Sequence, residues 1–161
     1  MAEGLRIEGT EEWRRCAVDL KAAADKDLLK AVRKSIRDLA KPVGRFVLER
    51  GAESMPASGG LAARMVETGK VGVTAGMAGR NPKITINLSA PKTGGASVGL
   101  ADSKGFVRHP VYARGGQDRK QWAWVRQNVE SGTFTKAFEE QADELADAVL
   151  SAVEKVMRNI G

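Results

Sequence analysis

Apolar residues recur every three or four positions in some stretches of the chain and every second position in others, and these two spacings separate helices from strands. Trp13, Cys16, Ala17, Leu20 and Ala24 form one helical face. Thr10 precedes it as an N-cap, and Glu11 and Glu12 sit in the first turn, where the helix dipole favours negative charge. Asp25 ends this helix or caps the next. Leu28, Leu29, Val32, Ile36, Leu39, Val43, Phe46 and Val47 describe a second, longer helix. Pro42 falls inside it and predicts a kink near Ala40, because proline removes one helical hydrogen bond and crowds the preceding turn. The apolar register continues past Pro42, so the reading is one bent helix, with Gly51 as its stop.

Residues 52–60 read as a loop by composition, and Leu61 to Thr68 as a short helix. The period then changes. Val71 to Ala75 and Ile84 to Leu88 alternate as the strands of a hairpin around a glycine-rich turn from Gly76 to Pro82. Leu5 to Gly9 alternates as a short edge strand. Residues 89–105, rich in glycine and serine, predict a long loop or extended arm. Gly105 to Tyr112 reads as a further strand, with Pro110 ending it at a sheet edge, and Gly115 to Asp118 as a turn. Trp122, Trp124 and Val125 make a compact apolar patch. A last helix starts at Thr133 as N-cap and carries Phe134, Phe138, Ala142, Leu145, Val149, Val153, Val156 and Ile160 on one face. At 1.5 Å per residue it is roughly 40 Å long, against a radius of gyration of about 15 Å for a compact chain of this size. The expected architecture is therefore a single α+β domain over residues 1–161. A small antiparallel sheet of three to four strands packs against two long helices, with 89–105 as a flexible loop or arm.

Composition narrows the chemistry. Of 161 residues, 42% are hydrophobic and only 5% aromatic, so the core must be aliphatic. No apolar run approaches the roughly 20 residues that span a bilayer, and Met1 to Arg6 lacks the apolar stretch of a signal peptide. The expectation is a chain made and held in the cytoplasm until it is assembled. The net charge of +6 invites an acidic partner such as nucleic acid. The basic residues from Arg14 to Arg50, however, sit mostly at polar helix positions interspersed with Asp and Glu, the pattern of a solvated face.

Cys16 is the only cysteine and His109 the only histidine. One cysteine makes no intrachain disulfide, and neither residue lies in metal-ligand spacing. Cys16 falls on an apolar helix face, where it serves as a small hydrophobe, and no local signature marks it as a nucleophile paired with His109. Gly94-Gly95 and Gly115-Gly116 lack the spacing and the following Lys-Ser/Thr of a phosphate loop. The carboxylate pairs Glu139/Glu140 and Asp143/Glu144 lie on the polar side of a helix, without the burial that tunes a general acid. The segment from Arg119 to Arg126 interleaves Trp122 and Trp124 with cations and could stack bases. Two tryptophans beside a long helix more often close a core or a subunit interface. No catalytic, cofactor-binding or metal residue is expected, and the chain reads as no enzyme.

The order of these parts resembles that of the phage tail-completion or head–tail joining proteins, the putative phage morphogenesis family. The likeness rests on four segments. They are the basic amphipathic helix containing Ala31 to Val43, the loop Met55-Pro56-Ala57-Ser58-Gly59-Gly60-Leu61, the strand Gly105-Phe106-Val107-Arg108-His109-Pro110-Val111, and the passage Trp124 to Phe134 that leads into the last helix. In the family a proline often precedes the glycine of that last passage, where this chain has Glu130-Ser131. The resemblance covers nearly the whole chain. It implies a structural virion protein that forms a homo-oligomeric ring, usually of six, at the neck of a tailed phage. Its partners would be head-side connector or stopper proteins on one side and tail terminator or tail tube proteins on the other. DNA would pass through the channel without sequence-specific binding. A tail terminator ring or a basic nucleic-acid-binding module remain the alternatives. A strongly cationic channel would hold DNA, so the excess of Lys and Arg is expected away from the lumen.

Overall fold

A computed structural model describes residues 4–8, 11–22, 26–55, 60–76, 83–90, 98–110 and 124–159. Within them the chain runs β1 (Gly4–Glu8), α1 (Glu11–Ala22), α2 (Lys26–Glu53), α3 (Leu61–Thr68), β2 (Lys70–Gly76), β3 (Lys83–Ser89), α4 (Val98–Lys104), β4 (Phe106–Pro110), β5 (Trp124–Asn128) and α5 (Thr133–Arg158). This is a mixed helix-and-sheet protein with antiparallel pairing throughout.

The strands divide into two sheets where the sequence suggested one. β1-β3-β2 form a three-stranded sheet with β3 in the middle, and β4-β5 form a separate two-stranded ribbon. In β3, Ile84, Ile86 and Leu88 are buried while Thr85 and Asn87 are partly exposed, the alternation of a strand with one face on the core. The register Val73↔Ile86 and Val71↔Leu88 lays β2's apolar residues on that same face.

Helices α2 and α5 pack along each other, α2 also covers β2 and β3, and α5 reaches β1. Their seam is aliphatic, with Val32, Ile36, Val47 and Leu48 from α2 and Leu145, Val149 and Val153 from α5 buried in one continuous core. α2 is continuous through Pro42, as its uninterrupted apolar register requires.

Gly51 does not end that helix. It lies inside α2, which runs two residues further, and a Cβ there would collide with the Phe134 ring at the start of α5. The missing Cβ of Gly51 thus lets α2 and α5 touch at this end. Gly44 does the same towards the sheet, where an added Cβ would stand 2.9 Å from Ile86 Cγ2 and collide with Val71. Both positions are occupied by glycine for close approach and not for termination.

Two further expectations are corrected. The arm 89–105 is in part regular structure: Ser89 belongs to β3, and Val98–Lys104 form α4, which buries Val98 and Ala101 against the core. Thr133 is the first residue of α5, following Gly132 in the left-handed region at φ 78°, and it is not the cap. Thr10, Asp25, the loop 56–59, the turn 77–82, the stretch 91–97, Tyr112, Gly115 to Asp118, Trp122 and Ile160 lie outside the described residues, as do the side chains of Trp13, Cys16, Ala17 and Leu20.

Candidate docking surface

The base of the β4–β5 ribbon is fastened by backbone and carboxylate contacts from α4. The first amides of α5 need acceptors, since no carbonyl precedes them in the helix. Asp102 on α4 supplies them: its Oδ1 accepts from the Phe134 amide at 2.7 Å and the Thr135 amide at 3.2 Å, and its Oδ2 accepts the Thr135 hydroxyl. Its backbone carbonyl accepts the Gly132 amide at 2.7 Å. Three residues on, the Gly105 carbonyl accepts the Val129 amide at 2.9 Å. The strand that leaves α4 and the strand that enters α5 are thereby held side by side, in the register Phe106↔Asn128 to Pro110↔Trp124.

The ribbon's two faces differ. Val107, His109 and Gln127 point inward and are buried. His109 is fully buried, and its Nε2 meets Gln127 Oε1 at 2.9 Å, diagonally across the strands. Two polar side chains thus satisfy each other inside an apolar setting, where an unpaired one would be costly. The one histidine is a packing residue of this ribbon.

The outward face carries Phe106, Arg108, Trp124 and Arg126. Arg108 and Arg126 stand directly opposite each other on one rung. Opposed like charges repel, and Arg126 turns aside, its guanidinium carbon 4.0 Å from the centroid of the Phe106 ring. Trp124 is 45% exposed and Val125 36% exposed. The apolar patch read at Trp124 and Val125 is therefore not core, whereas Val107 on the other face joins the buried core. Below it, Lys136 Nζ donates to Glu130 Oε1 at 2.9 Å, which holds the Glu130 carboxyl below its usual range and the Lys136 ammonium above its own.

This arrangement suits recognition. An exposed tryptophan on the same face as two arginines has the residue types that dominate the centres of protein interfaces. Each strand of a two-stranded ribbon also leaves one edge of backbone groups for a further strand. Glu139, Glu140, Asp143 and Glu144 are all exposed. Among the described residues no group of three or more His, Cys, Asp or Glu is placed to hold a metal ion, and no helix is long and apolar enough to cross a membrane. Sequence reasoning had the strand 106–110 but missed its partner at 124–128, and missed Asp102 altogether. The signal for β5 was present as alternation of Val125, Gln127 and Val129 against Trp124, Arg126 and Asn128. Comparison of the chain with family models, curated proteins and solved structures finds no match.

Proposed function

We propose that this chain is a structural ring subunit of a tailed-phage neck, joining the head connector to the tail and continuing the DNA channel, with no catalytic role. The observation that carries the reading is the pairing of β4 with β5. Two of the four segments that carry the resemblance to the head–tail joining family include Phe-Val-Arg-His-Pro and Trp-Val-Arg-Gln-Asn, which are hydrogen-bonded partners, and the second leads within five residues into the long α5. The exposed Trp124 and Arg126 give such a subunit a face on which a neighbouring neck protein can dock.

The test is electron microscopy of lysates from a phage carrying this gene, with the gene deleted. DNA-filled heads beside free tails of normal length support tail completion. Overlong or irregular tails move the chain to a terminator ring. Normal infectious particles refute the neck reading. Complementation then addresses the docking face. Trp124→Ala and Arg126→Ala alter exposed positions and should change stability by no more than about 0.5 kcal/mol, yet should fail to restore infectious particles.

A further inference from the structure

We propose that α2 and α5 are the two halves of a head-to-tail contact between copies of this chain, the basic face of α2 on one copy seated against the acidic face of α5 on the next. The proposal deepens the ring reading and rests on it for self-assembly, but its argument is the charge pattern of two helices.

Lys26, Lys30, Arg33, Lys34, Arg37 and Lys41 step by threes and fours along one side of α2, all exposed except the half-buried Arg33. They lie opposite Leu28, Val32 and Ile36, which face the core. Glu139, Glu140, Asp143, Glu144, Asp147 and Glu154 do the same on α5, all exposed, opposite Phe138, Leu145, Val149 and Val153. Each stripe covers the same run of sequence, roughly 22 Å at 1.5 Å per residue. The prevailing signs are opposite, with Asp27 and Asp38 exposed among the cations of α2 and Lys136 and Arg158 among the anions of α5, and the lengths match.

Within one molecule the stripes do not neutralise each other. Among the described residues no salt bridge joins α2 to α5. Among the described residues, the salt bridges of the stripes join Lys30 to Asp27 at 3.4 Å and Glu154 to Arg158 at 3.3 Å, each on its own helix and exposed, and Glu139 acts on Lys136 one turn away on α5. Each stripe faces away from the seam that the two helices share, so each is open to a second molecule. A contact between unlike patches is heterologous and leaves one patch free at each end of a dimer, so it propagates until rotation closes a ring. A nucleic acid would satisfy α2 alone and would be repelled by α5 on the same molecule. A second copy satisfies both.

The experiment measures association of the purified full chain by sedimentation velocity, in roughly 0.1 M and 1 M NaCl, where the Debye length falls from about 10 to about 3 Å. The wild type should associate at low salt and dissociate at high salt. Lys34→Glu/Arg37→Glu cuts the α2 stripe to four positive charges against two negative and puts carboxylates at its middle, and Asp143→Lys/Asp147→Lys does the converse to the α5 stripe. Each alone should lose affinity for itself by about tenfold or more, because like charges are brought together. An equimolar mixture of the two should reassociate, and so should a single chain bearing all four changes. That rescue shows both variants to be folded. The proposal is overturned if the wild type stays monomeric at low salt, if the variants associate as the wild type does, or if their mixture stays apart. It is also overturned if Lys34→Glu/Arg37→Glu abolishes binding to duplex DNA while self-association is untouched. Association through some other surface would end this proposal and leave the neck reading standing. Rescue of association in a protein whose gene deletion leaves phage assembly normal would do the reverse.

Discussion

Asp102 caps a helix that begins more than thirty residues later, and its removal has a calculable cost. In Asp102→Ala the amides of Phe134 and Thr135 lose their acceptor, and so does the Thr135 hydroxyl. Loss of an N-cap side chain costs about 1 kcal/mol and up to about 2. The negative charge at the positive end of the helix contributes a further ~0.3–1 kcal/mol. The site is partly buried, so water replaces these bonds incompletely. The expected loss is therefore about 2–3 kcal/mol. For a chain of this length, each kcal/mol lowers Tm by roughly 2–4 °C, which predicts a fall of about 5–10 °C. Asp102→Asn keeps an acceptor and removes the charge, so about 1 kcal/mol should be lost. Thr135→Val removes only the hydroxyl donor. Because Asp102 and Thr135 share a bond, the double variant Asp102→Ala/Thr135→Val should lose less than the two single losses combined. Urea and thermal unfolding followed by far-ultraviolet circular dichroism measure all four proteins. A loss below about 0.5 kcal/mol for Asp102→Ala, or strict additivity in the double variant, would refute the cap.

Two other perturbations test the helix seam and the ribbon's exit. Gly51→Ala improves helix propensity by about 1 kcal/mol but drives a methyl group into the Phe134 ring. Overpacking of that kind costs about 1–3 kcal/mol, so the variant should be less stable on balance, and Phe134→Leu in the same chain should recover part of the loss in denaturant unfolding. The Glu130–Lys136 pair sets a pH window. Glu130 is lowered by the bond and charge of Lys136, so its contribution is present at neutral pH and disappears as pH falls through its lowered value. Lys136 is raised by Glu130, so its contribution disappears as pH rises through its raised value. The Tm difference between wild type and Lys136→Met should be greatest near neutrality and close at both extremes. A difference independent of pH would show that the ion pair is not its source.

The helices were legible because their apolar periods are long and because local geometry dictates them. α3 and the cores of β2 and β3 fell where alternation and glycine placed them. The errors share one cause, which is distance along the chain. Gly51 read as a helix stop because a terminating glycine and one that admits a ring look alike in a local window, and the ring belongs to Phe134. α4 hid within a glycine- and serine-rich stretch, since a helix of two turns carries only Val98, Leu100 and Ala101 as apolar markers. The N-terminus of α5 offered Thr133 as a plausible local cap, while the acceptor its amides use lies on another helix. The division of strands between two sheets depends on which edge each finds, and no spacing within a strand records that. The docking face was half legible. Trp124 and the neighbouring arginines stood out by type, but their exposure follows from their place on the ribbon's outward face, which the pairing of β4 with β5 sets.

The clasp at Asp102 and Gly105 also decides what evolution can change at little cost. It closes the chain upon itself before β4 leaves and after β5 returns, so everything between is a detour whose two ends are already pinned. Lengthening a pinned detour is thermodynamically mild, about 0.6 kcal/mol for each doubling of its length. The passage 111–123 that joins the two strands can therefore be extended, trimmed or rewritten to meet a different neighbour while the helix seam beneath is left alone. A single carboxylate thus marks the border between a part of the chain whose length is cheap to change and one whose packing is not.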